Sequence, residues 1–248
     1  MIESWDIKIP ALTGEKTRKA YVYLPENYGN GEKFPVMYMF DGHNLFSDKE
    51  ATFGKSWGLS DYLDENKIPL IIAAVECNHE GNERLSEYSP IDFDMRGQKI
   101  AGRGKKYMDW LVKTFKPYID ENYPTLPDWE NTAIGGSSMG GLMTLYALSA
   151  YKKYFSRGAA LSPSLWVYKG VPDFINNTKY KAGTRLYTDY GSREFKNHDS
   201  RKDYFAETTS VLIRKGVFVT SRIVPDGIHS EASWGKQIPY FINVLFGN

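Results

Sequence analysis

The sequence has 248 residues, of which 42% are hydrophobic, and a formal net charge of +1 at pH 7. This length fits one large α/β domain, and the near-neutral charge gives no indication of a nucleic-acid or anionic-membrane partner. No apolar run approaches the length of a membrane span, and the single cysteine excludes an internal disulfide and fits a reducing compartment. The N-terminus lacks the basic and apolar regions of a secretory signal, so we expect a cytoplasmic protein.

The first half of the chain predicts a sheet that begins with an antiparallel hairpin. Apolar and polar residues alternate at 5–10 and again at 19–24, on either side of a turn, which is typical of paired edge strands. The continuous apolar runs 34–40 and 68–75 predict strands that are buried on both faces. The polar segment 76–104 is long enough to predict a functional or partly mobile loop.

The second half predicts strands that alternate with amphipathic helices. Helical spacing of apolar residues is found at 108–119, 142–148, 204–215 and 238–245, and short apolar strands at 132–134, 158–162, 184–190 and 220–224. This alternation predicts a parallel sheet covered by helices on both faces, in a single domain of residues 1–248. The segment 164–183 has no clean period, and we interpret it as an insertion over the functional site.

The stretch from Ala133 to Gly141 contains the pattern G-x-S-x-G with Ser138 at its centre. It lies between a predicted strand and a predicted helix, and the glycines at 136 and 140 let strand and helix pass close together. A serine in such a turn stands beside a helix N-terminus, whose free N–H groups can stabilise a developing negative charge. The pattern alone is a weak signal, but in this context it indicates a nucleophilic serine.

A serine nucleophile needs a general base within hydrogen-bond reach. In folds with this turn the partners follow in the order serine, acid, histidine, each on the loop after a later strand. His229 lies just past the last predicted strand and is the predicted base. Glu194, past Gly191, is the predicted acid, and Asp189 and Asp199 are alternatives that the sequence leaves open.

The oxyanion hole of such a site requires two main-chain N–H groups. Met139 follows the nucleophile and is expected to supply one of them. The loop after the predicted strand 34–40 places His43 to supply the other. A catalytic pair formed by the side chains of Asp41 and His43 is less favoured, because a carboxylate at this position is better explained as holding the shape of the loop.

A metal enzyme is a further class that the sequence does not favour. The chain has no H-E-x-x-H motif and no paired cysteines, so we predict no metal and no cofactor. The four histidines are scattered along the chain, at His43, His79, His198 and His229. Cys77 follows an apolar run and is predicted to be a small buried hydrophobe.

Several short motifs resemble the putative-esterase (esterase D-like) family of α/β-hydrolases, over nearly the whole chain. They are VYLP at 22–25, MFDGHNLF at 39–46, GSSMGG at 136–141, LSPSLW at 161–166, GSRE at 191–194 and GIH at 227–229. The resemblance implies an α/β-hydrolase fold, with a mostly parallel central sheet, an antiparallel N-terminal hairpin and helices on both faces. It also implies that Ser138 is the nucleophile, Glu194 the acid and His229 the base, with His43 and Met139 as oxyanion donors. The family's acid is often Asp.

The resemblance implies hydrolysis of a small-molecule carboxylic ester through an acyl-enzyme. An acetyl or feruloyl ester of a carbohydrate is favoured, a siderophore trilactone is the next choice, and a thioester is the third. We expect four aromatic residues to line the substrate pocket, namely Trp57, Trp166, Tyr168 and Trp234. The alternative from a different class is a non-catalytic α/β-hydrolase-like binding protein, which is disfavoured because every triad position is filled. The sequence does not predict an oligomeric state.

Overall fold

In the computed structural model, the strands form one large sheet and one small hairpin. The structure describes residues 1–196 and 199–247, and only the backbone of Asp199. The strands described are β1 (Ile2–Lys8), β2 (Thr17–Tyr23), β3 (Val36–Met39), β4 (Ile71–Val75), β5 (Phe93–Met95), β6 (Gln98–Ile100), β7 (Thr132–Ser137), β8 (Arg157–Leu161), β9 (Arg185–Gly191) and β10 (Phe218–Val224). The large sheet has the order β1-β2-β4-β3-β7-β8-β9-β10, and β5 pairs with β6 separately.

Helices connect most of the strands of the large sheet. They are α1 (Pro10–Thr13), α2 (Leu59–Glu65), α3 (Glu83–Glu87), α4 (Gly104–Trp110), α5 (Lys116–Asn122), α6 (Met139–Ala150), α7 (Val171–Asn176), α8 (Asp199–Arg214), α9 (Glu231–Gly235) and α10 (Ile238–Phe246). A π-helical turn, Leu111–Phe115, joins α4 to α5, so the helix predicted at 108–119 is part of one longer helical stretch. In the described ranges, no helix combines the length and the apolar character needed to cross a membrane.

The large sheet is antiparallel at its N-terminal edge and parallel elsewhere. β2 pairs antiparallel with both β1 and β4, whereas the pairs from β4 to β10 are parallel. The predicted mostly parallel sheet with an N-terminal hairpin is therefore confirmed. Because parallel strands end at the same edge, the loops that follow β3, β4, β7, β8, β9 and β10 meet at one side of the molecule.

Two hydrophobic cores, one on each face of the sheet, hold the helices in place. In β3 and the residue after it, Val36, Tyr38 and Phe40 belong to one core, and Met37 and Met39 belong to the other. All of them are nearly inaccessible to solvent. Burial on both faces explains why this strand is a continuous apolar run rather than an alternating one.

Two segments differ from what the sequence predicts. Residues 76–104, expected to be a loop, contain α3 and the β5–β6 hairpin, whose elements are too short to give a readable period. Residues 164–183, expected to lie over the site, contain α7, which packs against α8. Val171 and Ile175 on one face of α7 join the main core, so this part of the segment contributes to the fold, and the position of the whole segment over the site stays a prediction.

Candidate active site

Ser138 lies at the turn from β7 into α6, in a backbone conformation that residues with a side chain rarely adopt. Its φ is 58° and its ψ is −118°, a conformation that costs about 1–3 kcal/mol and persists only where the surroundings enforce it. The N–H of Ser138 donates to the carbonyl of Leu161 at 2.9 Å, and its carbonyl accepts from the N–H of Ser164 at 3.0 Å. These bonds to residues at and beyond the end of β8 hold the strained turn in place.

The same turn requires glycine for a steric reason. A Cβ on Gly141 would lie 2.9 Å from the carbonyl oxygen of Leu161 and 3.0 Å from Cα of Pro163. Both are main-chain atoms, which cannot move aside as a flexible side chain can. The small residues around Ser138 therefore let α6 start directly against the end of β8, as the G-x-S-x-G pattern predicts.

Ser138, His229 and Glu194 form a continuous hydrogen-bonded chain. His229 Nε2 lies 2.9 Å from Ser138 Oγ, and His229 Nδ1 lies 2.6 Å from Glu194 Oε2. When Nδ1–H donates to the carboxylate, Nε2 is left as the acceptor for the proton of the serine hydroxyl. The structure thus brings together the three residues that the sequence predicts as nucleophile, base and acid.

The loops that carry Glu194 and His229 approach each other at two glycines. A Cβ on Gly191 would lie 2.3 Å from the main chain of Gly227, so neither loop tolerates a larger residue at the crossing. The N–H of Arg193 also donates to the carbonyl of Gly227 at 3.1 Å. This crossing places Glu194, after β9, within hydrogen-bond reach of His229, after β10.

The carboxylate of Glu194 is buried and accepts several hydrogen bonds. Besides the His229 ring, Ser162 Oγ donates to Oε1 at 2.6 Å, and the N–H of Gly191 donates to the same oxygen at 2.9 Å. Burial opposes ionisation, but these bonds outweigh it, so the pKa of Glu194 lies below its ordinary value. A charged carboxylate in this place can fix the imidazole tautomer and stabilise an imidazolium.

Ser162 is a positioning residue that the sequence argument did not identify. Its Oγ donates to Glu194 and accepts from Trp234 Nε1 at 2.9 Å. The ring of Trp234 meets the imidazole of His229 edge to face, with centroids 4.8 Å apart. Ser162 therefore connects Glu194 to the indole that packs against His229. Ser162 belongs to the motif LSPSLW, but nothing in the sequence indicated which of its two serine hydroxyls would bond to Glu194.

Asp189, one of the alternative acids, has other partners. It lies within β9 and is 1% exposed, its Oδ2 accepts from the hydroxyl of Tyr187 at 2.8 Å, and burial raises its pKa to about 7. Among the described residues, no hydrogen bond joins Asp189 to His229. For the other alternative, Asp199, the side chain lies outside the described residues, as does the whole of His198.

The two predicted oxyanion donors, Met139 and His43, lie in helical turns that follow β7 and β3. Neither the N–H of Met139 nor that of His43 has an acceptor in the described part of the chain. Met139 is the first residue of α6, where N–H groups lack partners within the helix. His43 lies in a single 3₁₀ turn, Gly42–Asn44, directly after β3.

Asp41 shapes the loop that carries His43. It has a φ of 56°, and its carboxylate accepts from Nε and a terminal nitrogen of Arg84, each at 2.7 Å. Burial opposes ionisation, but the ion pair outweighs it and holds the pKa of Asp41 below its ordinary value. This geometry favours the loop-shaping interpretation over a catalytic pair, because the ring of His43 bonds to Thr52 instead.

The four aromatic residues predicted to line a substrate pocket have different surroundings. Trp166 is 38% exposed and packs edge-on against Phe93, whereas Tyr168 is half-buried against Phe174. Trp57 and Trp234 are 6% and 5% exposed, with ring centroids 6.2 Å apart. We therefore correct these two from pocket lining to core, because large indole rings beneath the triad gain more from burial than from exposure.

The buried carboxyl group of Asp189 predicts a pH dependence of stability. Its pKa is about 7 in the folded protein and about 3.9 in an unfolded chain, so the folded state holds this proton more tightly. The resulting stabilisation is complete below about pH 4 and is lost as the pH rises through about 7.

The variant Asp189→Asn tests this dependence, because it keeps an oxygen for the Tyr187 hydroxyl and cannot titrate. Its Tm relative to that of the wild type should therefore increase from about pH 4 to about pH 8. An equal Tm difference at both ends would contradict a protonated Asp189.

Comparison with known proteins gives the family of this chain. The sequence profile of the family described as "Putative esterase" matches residues 12–240. The chain is 26% identical over 241 residues to the uncharacterized protein YbbA of Bacillus subtilis, covering 92% of this chain and 91% of that protein. It is also 26% identical over 164 residues to an endo-1,4-beta-xylanase/feruloyl esterase of Xylanibacter ruminicola, covering 64% of this chain and 21% of that protein.

A solved structure with a similar fold is that of the enterobactin and salmochelin hydrolase IroE. The TM-score is 0.73 at 18% identity, with 99% of this chain and 95% of that chain covered. At this identity the likeness shows the fold, which is that of the α/β-hydrolases. Because the family profile spans most of the sequence, the chain belongs to the putative-esterase family and is an esterase.

Proposed function

We propose that this esterase is a serine carboxylic-ester hydrolase that works through Ser138, His229 and Glu194. The observation that carries the proposal is the hydrogen-bonded chain from Glu194 through His229 to Ser138 Oγ, with distances of 2.6 and 2.9 Å. A hydroxyl is a weak nucleophile at neutral pH, and an adjacent imidazole held by a carboxylate is what activates it. The strained turn and the N–H of Met139 next to Ser138, which has no acceptor among the described residues, support the same chemistry.

The proposed reaction has two halves that use the same groups. Ser138 Oγ attacks the acyl carbon, its proton moves to His229 Nε2, and Glu194 stabilises the imidazolium. The N–H groups of His43 and Met139 donate to the oxyanion of the tetrahedral intermediate. His229 then returns the proton to the leaving alkoxide, and the acyl group stays on Ser138. Water attacks the acyl-enzyme by the same route and releases the carboxylic acid.

The substrate we propose is an acetyl or feruloyl ester of a carbohydrate. Two observations support this substrate class. The first is the relative named endo-1,4-beta-xylanase/feruloyl esterase. The second is the exposed indole of Trp166 beside Phe93, because sugar rings and phenolic rings stack on flat apolar surfaces of this kind. A siderophore trilactone is the alternative, supported by the fold shared with IroE, and a thioester is the third choice. A cytoplasmic location, suggested by the single cysteine, is part of the proposal.

Replacement of the nucleophile tests the proposal on four esters. The panel is 4-nitrophenyl acetate, methyl ferulate, an acetylated xylo-oligosaccharide and a cyclic siderophore trilactone. Ser138→Ala should lower kcat on every ester turned over by at least about a thousandfold, because the covalent intermediate cannot form. Ser164→Ala is the matched control, because it removes a serine hydroxyl that lies 3.3 Å from Ser138 Oγ and has no role in the proposed reaction. It should keep kcat within about tenfold of the wild type.

The panel also separates the substrate classes. If the substrate is an acetyl or feruloyl ester of a carbohydrate, kcat/KM is higher for methyl ferulate or the acetylated oligosaccharide than for the trilactone. The opposite order would favour a siderophore trilactone as the substrate. Retained turnover in Ser138→Ala, with an unchanged circular-dichroism spectrum, would show that another group is the nucleophile.

A pair of carboxylate variants tests the acid. Glu194→Gln keeps a hydrogen bond to His229 but loses the charge and permits the wrong tautomer, so kcat should fall by about a hundredfold to ten-thousandfold. Asp189→Asn is the matched control, because it also replaces a buried carboxyl group by an amide, and its kcat should stay within about tenfold of the wild type. Steady-state kinetics on 4-nitrophenyl acetate measure both. A large loss in Asp189→Asn with little change in Glu194→Gln would move the role of the acid to Asp189.

A further inference from the structure

Folding brings His43, Cys77 and His79 together at the carboxyl edge of the sheet. A ring nitrogen of each histidine and the Sγ of Cys77 all lie within 4.8 Å of one another. His43 follows β3, and Cys77 and His79 follow β4, its neighbour in the sheet. The two imidazole rings meet edge to face, with centroids 4.6 Å apart. The cluster thus joins two loops that are distant in sequence.

Each imidazole of the cluster is held at Nε2 by a polar side chain. His43 Nε2 lies 2.9 Å from Thr52 Oγ1, and His79 Nε2 lies 2.9 Å from Glu76 Oε1. Metal-binding histidines are commonly fixed in this way, because a bond from one ring nitrogen sets the tautomer and directs the other nitrogen to the metal. When Nε2–H is the donor, the Nδ1 lone pair of each ring is left open.

The open nitrogen of His43 is an unpaired polar atom in the interior. His43 is 3% exposed, and its Nδ1 has no hydrogen-bond partner among the described residues. Leaving a buried polar atom unpaired costs stability, and most such atoms in folded proteins have a partner. Here the unpaired nitrogen belongs to His43, a member of the cluster, and a cation bound by this nitrogen would satisfy it.

We propose that His43, Cys77 and His79 bind a divalent transition-metal ion of the zinc class. One thiolate and two imidazoles are the ligands that such ions prefer, whereas magnesium and calcium prefer oxygen ligands. The His79 side chain is half-exposed, which provides an entry path and leaves a fourth position for water. The proposal is independent of the esterase mechanism, in which His43 acts through its main-chain N–H.

The distances require only a small adjustment on binding. Ligand atoms of a tetrahedral zinc site are roughly 3.5 Å apart, as follows from the metal–ligand bond lengths, so a separation of up to 4.8 Å closes by about an ångström. His79 can make this movement because its side chain is half-exposed. Binding removes the thiol proton of Cys77 to solvent, and a metal–sulfur bond replaces the S–H bond. Asp41 keeps both of its bonds from Arg84.

Cobalt(II) is a direct probe of such a site, because it occupies zinc sites and is coloured. Full-length protein, treated with a chelator and dialysed, is titrated with Co(II) and its absorption recorded. We expect one equivalent to bind, with a thiolate-to-cobalt charge-transfer band in the near ultraviolet and the strong visible bands of tetrahedral Co(II). Zinc(II) should then displace the cobalt and abolish the spectrum.

Three variants assign the spectrum to residues. Cys77→Ser should lose the charge-transfer band, and His79→Ala should weaken Co(II) binding by at least about tenfold. Glu80→Gln is the control, since the exposed carboxylate of Glu80 binds Lys16 and is adjacent to His79 in sequence, and it should bind Co(II) as the wild type does. Circular dichroism checks that each variant is folded. If the buried Cys77→Ser does not fold, His79→Ala decides the test, because its position is half-exposed.

Several outcomes would overturn the proposal. They are the absence of the charge-transfer band in folded wild type at excess Co(II), a band that survives in Cys77→Ser, and binding that His79→Ala leaves unchanged. None of these outcomes bears on the nucleophile, since no measurement uses ester hydrolysis. Failure of the metal site and failure of the proposed esterase mechanism are therefore distinguishable.

Discussion

The site depends on the crossing of the two loops that follow β9 and β10. Gly191 and Gly227 meet there so closely that a Cβ on Gly191 would lie 2.3 Å from the other main chain. This contact brings Glu194 within 2.6 Å of His229, and Ser162 ties the same carboxylate to the end of β8. Because the end of β8 also holds the strained turn at Ser138, contacts connect the three loops that carry Ser138, Glu194 and His229. The proposed chemistry therefore follows from how neighbouring parallel strands end.

Two nearby carboxyl groups show how the surroundings divide the roles. Glu194 and Asp189 are both buried, which favours the neutral form of each. Glu194 accepts from His229, Ser162 and Gly191, and its pKa lies below the ordinary value, whereas Asp189 has weaker compensation and a pKa raised to about 7. At neutral pH the first group is charged and the second is close to its midpoint. Hydrogen bonding, rather than position in the chain alone, distinguishes the proposed acid, Glu194, from its competitor Asp189.

Local patterns in the sequence predict the sheet, the turn at Ser138 and the order of the three triad positions, because period and glycine spacing are properties of short segments. They do not predict contacts between loops that are distant in sequence. The hydrogen bond from Ser162 to Glu194 and the meeting of His43, Cys77 and His79 are of this second kind. The burial of Trp57 was not predicted for the same reason, because the sequence alone does not distinguish a tryptophan in a core from one that lines a pocket.

The proposed chemistry depends most directly on Ser138 being the activated nucleophile, and covalent labelling tests this role. The full-length protein is treated with a fluorophosphonate, and the modified residue is located by peptide mass spectrometry. We expect one adduct, on Ser138, which forms at least about a hundredfold more slowly in His229→Ala because the general base is lost. An adduct on Ser137, Ser162 or Ser164 instead, or equal labelling rates in the two proteins, would contradict the account.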